Sequence, residues 1–392
     1  MNVVHLFDRY LNSTMNWAYH LIRHCPDTET GIAAPIVIDN NFANADFHVW
    51  RSPFQWRHFH SEWEVTRFDR LLARATRTLY QEYLYRQWKN SPPDLLHAHF
   101  AQVGVACMPL ARRIGRPLVV SFYGYDYQKL PRQQPVYLEH YRQLFVQAAA
   151  VLVEGPHGRE ILLSLGCSPE KIFRQPLGIE PQRIPYFSRK KKKGELQLLQ
   201  AATFTEKKGY FDTLRAFHRA MSDCPNMRLT LVGEPLDRPL RQMLETYVLE
   251  HGLAEKVCFL DFVPYAEFHE FLRLAQVFIH PSRHAADGDC EGGAPIVLLD
   301  AQASGLPVIS TTHCDIPIEV VDGQTGLLSL EKEVDALAAH IRRFYHMGPE
   351  EYEHFSRAAR NHVEQRFDVV DCGRQLHARY LEVLALRDRA NR

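Results

Sequence analysis

Short apolar runs alternate with amphipathic stretches along nearly the whole chain. In the first half, 3–7, 33–38, 94–99, 117–122 and 148–153 read as buried strands. Segments 15–22 and 103–114 between them have helical spacing. Strands that alternate with helices predict a parallel sheet covered on both faces. The rhythm then breaks. From 185 to 195 the pattern is lost, and Arg189 to Lys193 form a run of five cations. Such a run reads as a solvated linker. The alternation restarts with strands at 196–202, 228–232, 257–262, 277–280 and 308–311. Tyr210, Leu214, Phe217 and Met221 fall at helical spacing, and 239–250, the stretch around Phe268 and Leu272, and 295–303 read as further helices. This predicts a doubly wound α/β domain that binds ligands beyond the carboxyl ends of its strands. The tail, 349–387, reads as long and helical and carries Tyr352, Phe355, Ala359 and Val363. Two domains of similar size follow, 1–187 and 196–366, joined by 188–195 and followed by a terminal segment at 367–392.

Composition changes this picture little. With 46% hydrophobic and 23% charged residues in 392, the chain can bury two cores without staples. Its eight cysteines are scattered and contain no CxxC pair. Neither a disulfide framework nor a zinc cluster is expected, which suits a reducing, cytoplasmic setting. The start has no basic-then-apolar run, so no signal peptide is read there. No apolar stretch reaches the ~18–20 residues of a membrane span. Charge is more informative. Residues 1–195 hold 25 Lys+Arg against 17 Asp+Glu, a net +8, and the remainder carries −8. A basic first half suits an anionic membrane surface at the inner face, or an anionic acceptor; an uneven surface without function is the alternative. One segment, 47–63, is dense in aromatic and histidine side chains: Trp50, Phe54, Trp56, His58, Phe59, His60 and Trp63. It suits a bound ligand that packs on rings, a membrane interface or a small satellite core.

The chemistry concentrates in 287–307, DGDCEGGAPIVLLDAQASGLP. Gly292 and Gly293 leave backbone amides uncovered, and Pro295 suits the first position of a helix. Gly292, Gly293 and Ala294 are then expected to present amides at a helix N-terminus, an anion site fitted to a diphosphate. Asp300 is expected about five residues into that helix, roughly 7.5 Å along its axis. Glu291 and Asp300 are poor phosphate ligands but good acceptors for sugar hydroxyls. A capped strand–loop–helix with a solvated acid is the plainer alternative. His97 and His99 share one face of a strand, without a further metal ligand in evidence, so no metal set is expected. A cleft position or a satisfied core histidine are the two readings.

This segment resembles the donor-site signature of the retaining family 4 glycosyltransferases, which share the GT-B fold. The match runs through Glu291-Gly292-Gly293-Ala294-Pro295 and Asp300-Ala301-Gln302-Ala303-Ser304-Gly305-Leu306-Pro307-Val308. Glu206-Lys207-Lys208-Gly209, Leu231-Val232-Gly233-Glu234, Ile279-His280-Pro281-Ser282 and Gly323 to Leu328 also fit, in order. Upstream, 94–100 (DLLHAHF) and 121–126 (SFYGYD) match segments of the acceptor domain. The resemblance implies two Rossmann-like domains facing a cleft, with the last helix crossing back to the first domain. It implies metal-independent transfer, with retention, from a nucleotide sugar, UDP- or GDP-linked, to a hydroxyl acceptor. No cofactor and no nucleic acid are implied. The acceptor class suggested is a polysaccharide, lipopolysaccharide or glycolipid precursor. The implied donor contacts are Thr203, Lys208, Gly233, Val263, Ser282, Gly292, Gly293, Ala294 and Asp300, with Lys208 on the diphosphate as a point charge and Asp300 on the ribose. Glu291 would hold the transferred sugar, with Tyr123, Asp126 and His99 beside it.

The sequence departs from the family at four places. Ala202 and Thr203 stand where the family has Gly-Arg, and Arg283 is a candidate replacement cation. The step from Glu291 to Asp300 is one residue longer than usual. Tyr123 replaces a histidine, and a phenol is no ready base near neutral pH. The first strand is followed by 9–14 (RYLNST) in place of a glycine-rich loop. A small-molecule glycosyltransferase, a GT-B epimerase and a non-catalytic relic that binds a nucleotide sugar stay open. Strings for a dinucleotide dehydrogenase, a P-loop enzyme and a nucleophile-elbow hydrolase are absent.

Overall fold

The computed structural model describes residues 1–11, 15–38, 47–54 and 67–390. It divides into two compact units, one of 1–153, 159–176 and 369 onward, the other of 154–158 and 177–368.

The first unit contains strands β1 (Asn2–Leu6), β2 (Arg9–Tyr10), β3 (Glu29–Ala34), β4 (Ile36–Val37), β5 (His48–Arg51), β6 (Leu95–His99), β7 (Leu118–Ser121), β8 (Ala150–Val153) and β9 (Ile172–Arg174). Seven of them form a sheet in the order β5-β3-β1-β6-β7-β8-β9, while β2 and β4 pair separately. Every pairing is parallel. Strands β6, β7 and β8 are buried at every residue, as a parallel sheet covered on both faces requires. The run at 33–38, expected to be one strand, is two. Pro35 lacks the amide that a ladder needs, so the chain leaves β3 there and restarts as β4 against another partner.

A helix at Arg67–Trp88, which the periodicity did not reveal, lies beside this sheet. It buries Tyr80, Leu84 and Trp88 at spacings of four. The Trp50 ring meets Trp88 edge-on at 5.3 Å, and the Tyr80 hydroxyl donates to the Trp50 carbonyl at 2.6 Å. Trp50 is therefore a packing residue. The Trp56 to Trp63 part of the aromatic segment, and 12–14 of the loop after the first strand, lie outside the described residues.

The second unit holds β10 (Leu196–Ala201), β11 (Met227–Val232), β12 (Val257–Leu260), β13 (Val277–His280), β14 (Val308–Thr311) and β15 (Gly326–Ser329). They form one parallel sheet in the order β12-β11-β10-β13-β14-β15. Both sheets reverse direction at one point, between β1 and β6 and between β10 and β13. In a doubly wound sheet that reversal opens a crevice beyond the carboxyl ends of the strands.

The helical tail divides in two: Pro349–Arg366 belongs to the second unit and Val369–Ala390 to the first. At the break, the Ile179 amide donates to the Phe367 carbonyl (3.0 Å) and Ile179 bridges Asp368, which pulls the chain into extended geometry. One expectation is corrected here: the cationic run is not a solvated linker. The unit boundary falls at 176–177, and the run lies inside the second unit. The Arg189 guanidinium donates to the carbonyls of Leu272 (2.6 Å), Ala275 (2.8 Å) and Ser304 (2.8 Å). These carbonyls end the helices Tyr265–Leu274 and Val297–Ala303, where orphan acceptors and dipoles favour a cation. Lys191 is buried, and its ammonium donates to the Glu195 carbonyl at 2.8 Å. Only Lys190, Lys192 and Lys193 are exposed.

No helix among the described residues is long and apolar enough to cross a membrane. Arg189→Ala is expected to destabilise the protein by about 2–3 kcal/mol in urea denaturation, because it strands several buried carbonyls at once. Lys190→Ala should stay within about 0.5 kcal/mol.

Candidate active site

The site of the second unit starts from two strand ends. After β10 the chain makes a turn of 3-10 helix, Glu206–Lys208, and Gly209 follows in the left-handed region at φ 68°. A Cβ at Gly209 would run into the carbonyl of Pro281, just beyond β13. Glycine thus lets the lysine turn lie directly on the end of the neighbouring strand. The consequence is contact between two groups 83 positions apart. Lys208 Nζ lies 2.7 Å from Glu291 Oε2, with the side chains 14% and 5% exposed. Ser282 Oγ donates to Glu291 Oε1 at 2.9 Å, and His280 Nε2 lies 3.7 Å from the same oxygen. Burial alone would raise the Glu291 carboxyl. Lys208, His280 and Lys207 outweigh it and hold the group well below the usual carboxylate range. Lys207 grips the same loop, with Nζ 3.2 Å from Asp289 Oδ1 and donating to the Cys290 carbonyl at 2.9 Å.

The main chain of Glu291 is fixed from behind. Its amide donates to His313 Nε2 (3.1 Å), and His313 Nδ1 donates to Glu331 Oε1 (2.6 Å). Burial would raise the Glu331 carboxyl, but the His284 amide and the His313 ring hold it at about 2. His280, His313 and Glu331 were not expected as site residues, because single histidines far apart in sequence carry no spacing signal.

Gly292, Gly293 and Ala294 are buried next to Glu291. The expected helix N-terminus at Pro295 is corrected: the helix is Val297–Ala303, and Pro295 stands before it, accepting from the Leu298 amide at 2.9 Å. The three residues therefore form a loop ahead of the helix. A Cβ at Gly293 would collide with the Glu154 carboxylate, so only glycine fits. Asp300 lies in the first helical turn, not five residues in. The Tyr265 hydroxyl donates to Asp300 Oδ1 at 3.0 Å, and burial pushes the carboxyl up to about 7. Tyr265 is another partner the sequence reading missed.

The remaining donor candidates are less tightly tied. Thr203 is half-buried just after β10. Gly233 ends β11 with its amide on the Leu260 carbonyl (3.1 Å). Val263 packs against the cluster of Phe268 and Leu298. Arg283, the candidate replacement cation, is held 3.2 Å from Asp212 and 3.5 Å from Glu206. Its charge is already matched by two carboxylates.

In the first unit, strand register builds a buried histidine set. His5 and His97 are register partners on β1 and β6, and His99 follows two residues on. His5 Nδ1 lies 2.9 Å from His99 Nε2, and His99 Nδ1 lies 2.7 Å from the Tyr123 hydroxyl. His97 bonds Ser121 Oγ (2.8 Å) and, from the last helix, the Tyr380 hydroxyl (2.6 Å). Burial lowers His5 to about 3 and carries His97 and His99 well below the usual histidine value. All three rings are neutral near pH 7. His5 adds a third nitrogen ligand to the pair that sequence placed on one face. His99 has no exposure and Tyr123 is partly exposed, so Tyr123 is the solvent-side end of this chain. Asp126 is fully buried. Its oxygens accept from the amides of Ala101 and Tyr123, both at 2.9 Å. That caps the helix Ala101–Ile114 and closes the 123–126 turn.

The cysteines, scattered in sequence, are not all apart in space: Cys290 and Cys314 meet His157 and His284 in the second unit.

Residues 184–362 match the family described as glycosyl transferases group 1, and 21–178 match the glycosyl transferase 4-like domain. The chain is 32% identical to the putative colanic acid biosynthesis glycosyltransferase WcaL of Salmonella typhimurium over 72% of this chain and 69% of that protein. It is 30% identical to the amylovoran biosynthesis glycosyltransferase AmsK of Erwinia amylovora over 80% and 76%. Among solved structures, Anabaena HepE in complex with UDP and glucose superposes with a TM-score of 0.74 at 17% identity, covering 97% and 99% of the two chains. The apo lipopolysaccharide outer core galactosyltransferase WaaB gives 0.69 at 14%, covering 97% and 100%. Two Rossmann-type sheets, a lysine–glutamate pair at a switch point and these relatives agree: the chain belongs to the group 1 (family 4) glycosyltransferases and is a nucleotide-sugar-dependent enzyme of the GT-B fold.

Proposed function

We propose that the enzyme moves a sugar, with retention, from a UDP- or GDP-linked donor to a hydroxyl of a growing polysaccharide or lipid-linked saccharide. The observation that carries this reading is the buried Lys208–Glu291–Ser282 set at the switch point between β10 and β13. The relatives WcaL and AmsK, named for colanic acid and amylovoran biosynthesis, support a polysaccharide acceptor. The net charge of +8 on residues 1–195 supports an anionic acceptor, or contact with an anionic cytoplasmic membrane face.

Each group then has a physical task. Lys208 meets the donor diphosphate as a point charge, sharing its ammonium with Glu291. Glu291 stays ionised and accepts hydrogen bonds from hydroxyls of the transferred sugar. Amides of Gly292 to Ala294 add donors for the sugar or phosphate oxygens. Asp300 accepts from the ribose hydroxyls, and backbone near Val263 faces the base. Thr203, Gly233 and Ser282 complete the walls. Binding energy on the nucleotide positions the reacting carbon. No metal is required at the diphosphate, and the departing diphosphate oxygen helps to take the acceptor proton. Tyr123, at the end of the His99 chain, offers a hydroxyl to the acceptor.

A thermal-shift series with UDP, GDP, ADP and their sugar conjugates, without added divalent metal, tests the donor site. One nucleotide series at ~100 times its dissociation constant should stabilise by about 2.7 kcal/mol, and the matching sugar nucleotide should be turned over. Lack of a shift with all of them refutes the donor assignment. Glu291→Gln should cut transfer by at least ~100-fold, in the range of a lost charge-assisted contact to the transition state. Lys208→Ala should cut transfer too and, by leaving Glu291 buried without its cation, destabilise the protein by about 3–5 kcal/mol. Adding Glu291→Gln to it should recover most of that stability in denaturant titrations.

Asp300 makes nucleotide affinity depend on pH. Burial holds its carboxyl at about 7, and the ionised form is the stronger acceptor for ribose hydroxyls. Binding therefore releases a proton at low pH, and affinity should climb about tenfold between roughly pH 6 and pH 8, then level off. Titration calorimetry on Asp300→Asn should show that component gone; an unchanged profile removes Asp300 from the ribose.

A further inference from the structure

Next to the donor loop, two histidines and two cysteines converge from distant positions: His157, His284, Cys290 and Cys314. One ligand atom of each lies within 4.8 Å of every other. All four belong to the second unit. Zinc bound by two thiolates at ~2.3 Å and two imidazole nitrogens at ~2.0–2.1 Å keeps its donors about 3.4–3.8 Å apart. Side-chain adjustments of about 1 Å bring the four groups to that spacing.

The surroundings carry the argument beyond proximity. Glu331 accepts from His284 Nδ1 (2.8 Å) through one oxygen and from the His284 amide (2.9 Å) through the other. That fixes the ring and leaves Nε2 as the nitrogen for an ion. A carboxylate behind the distal ring nitrogen is the usual support of a metal-binding histidine. On the other side, Asp315 Oδ1 accepts the amide of His157 (2.9 Å), seating the segment that brings His157 to the cluster. Cys314 holds φ 47°, the left-handed region that a side chain avoids. Such strain is kept where the fold needs a side chain aimed at a particular point. Cys290 is buried at 1% exposure, and the other three are half-buried.

We propose that His157, His284, Cys290 and Cys314 form a tetrahedral, structural zinc site that fixes the donor loop. Two soft thiolates with two imidazoles select zinc over magnesium or calcium, and four protein ligands close the coordination sphere. The position gives the ion its role. Cys290 directly precedes Glu291, and His313, which accepts the Glu291 amide, directly precedes Cys314. The zinc ties the residue before Glu291 and the residue after His313 to one point. No step of sugar transfer passes through it, and the site stands independently of the donor assignment.

The test is metal analysis of the full chain, purified under reducing conditions without a histidine tag. About one zinc per chain is expected, by mass spectrometry of the elements or after reconstitution with zinc. Replacement by cobalt should produce thiolate-to-cobalt charge transfer in the near ultraviolet and the intense visible bands of a tetrahedral site. Cys314→Ser should abolish the charge transfer or weaken it sharply. Glu331→Gln, which leaves all four ligands in place, should weaken zinc about 10–100-fold against a chromogenic chelator. Background zinc after reconstitution, a cobalt spectrum without thiolate bands, or a Cys290–Cys314 disulfide in the reduced preparation would each overturn the proposal. The cobalt spectrum of the unaltered chain decides the matter even if Cys314→Ser fails to fold.

Discussion

A carboxylate buried as deeply as that of Glu291 is tolerated only when cation and donors surround it. Much of the second unit is arranged around that demand. Lys208 reaches it because Gly209 lets the lysine turn rest on Pro281. Ser282 reaches it because β13 ends one residue before Pro281. His313 holds its amide, and Glu331 holds His313. A buried ion pair of this kind adds little net stability over an apolar core. What it does supply is orientation: the Glu291 carboxylate is held in one place by Lys208 and Ser282.

The first unit solves a different problem with the same topology. Its switch point, between β1 and β6, is filled by three neutral imidazoles instead of an ion pair. Burial strips them of their charge, and hydrogen bonds to Ser121, Tyr123 and Tyr380 satisfy most of what remains. The result is a chain of neutral, polarisable groups that ends on the partly exposed Tyr123 hydroxyl. The helix Val369–Ala390 supplies one of those partners, so the end of the sequence completes the first unit's core.

The family's usual arginine is absent at Thr203, and Arg283 does not stand in for it, being held by Asp212 and Glu206. Positive charge near the donor loop comes from the lysine pair instead. Lys207 secures Asp289 and the Cys290 carbonyl, while Lys208 faces Glu291. Two adjacent lysines thus hold two successive acids of one loop, Asp289 and Glu291.

Local pattern determined a great deal here. β13 and β14 stand where the apolar runs at 277–280 and 308–311 placed them, because strands buried on both faces must be continuously apolar. Lys208 and Glu291 were each legible as candidates through linked motifs in a fixed order, but their contact was not. Tertiary structure alone decided the rest, and each case has the same cause: the deciding partner is remote in sequence. Arg189 and Lys191 turned inward because helix ends elsewhere offered carbonyls. Asp126 became a cap because Ala101 needed one. Tyr265, His313 and Glu331 entered the site, and Cys290 met Cys314 and two histidines, through register and crossover geometry. A linear sequence records which groups a chain owns. Which of them share one place is set by the packing of parallel strands, whose neighbours in space are seldom neighbours along the chain.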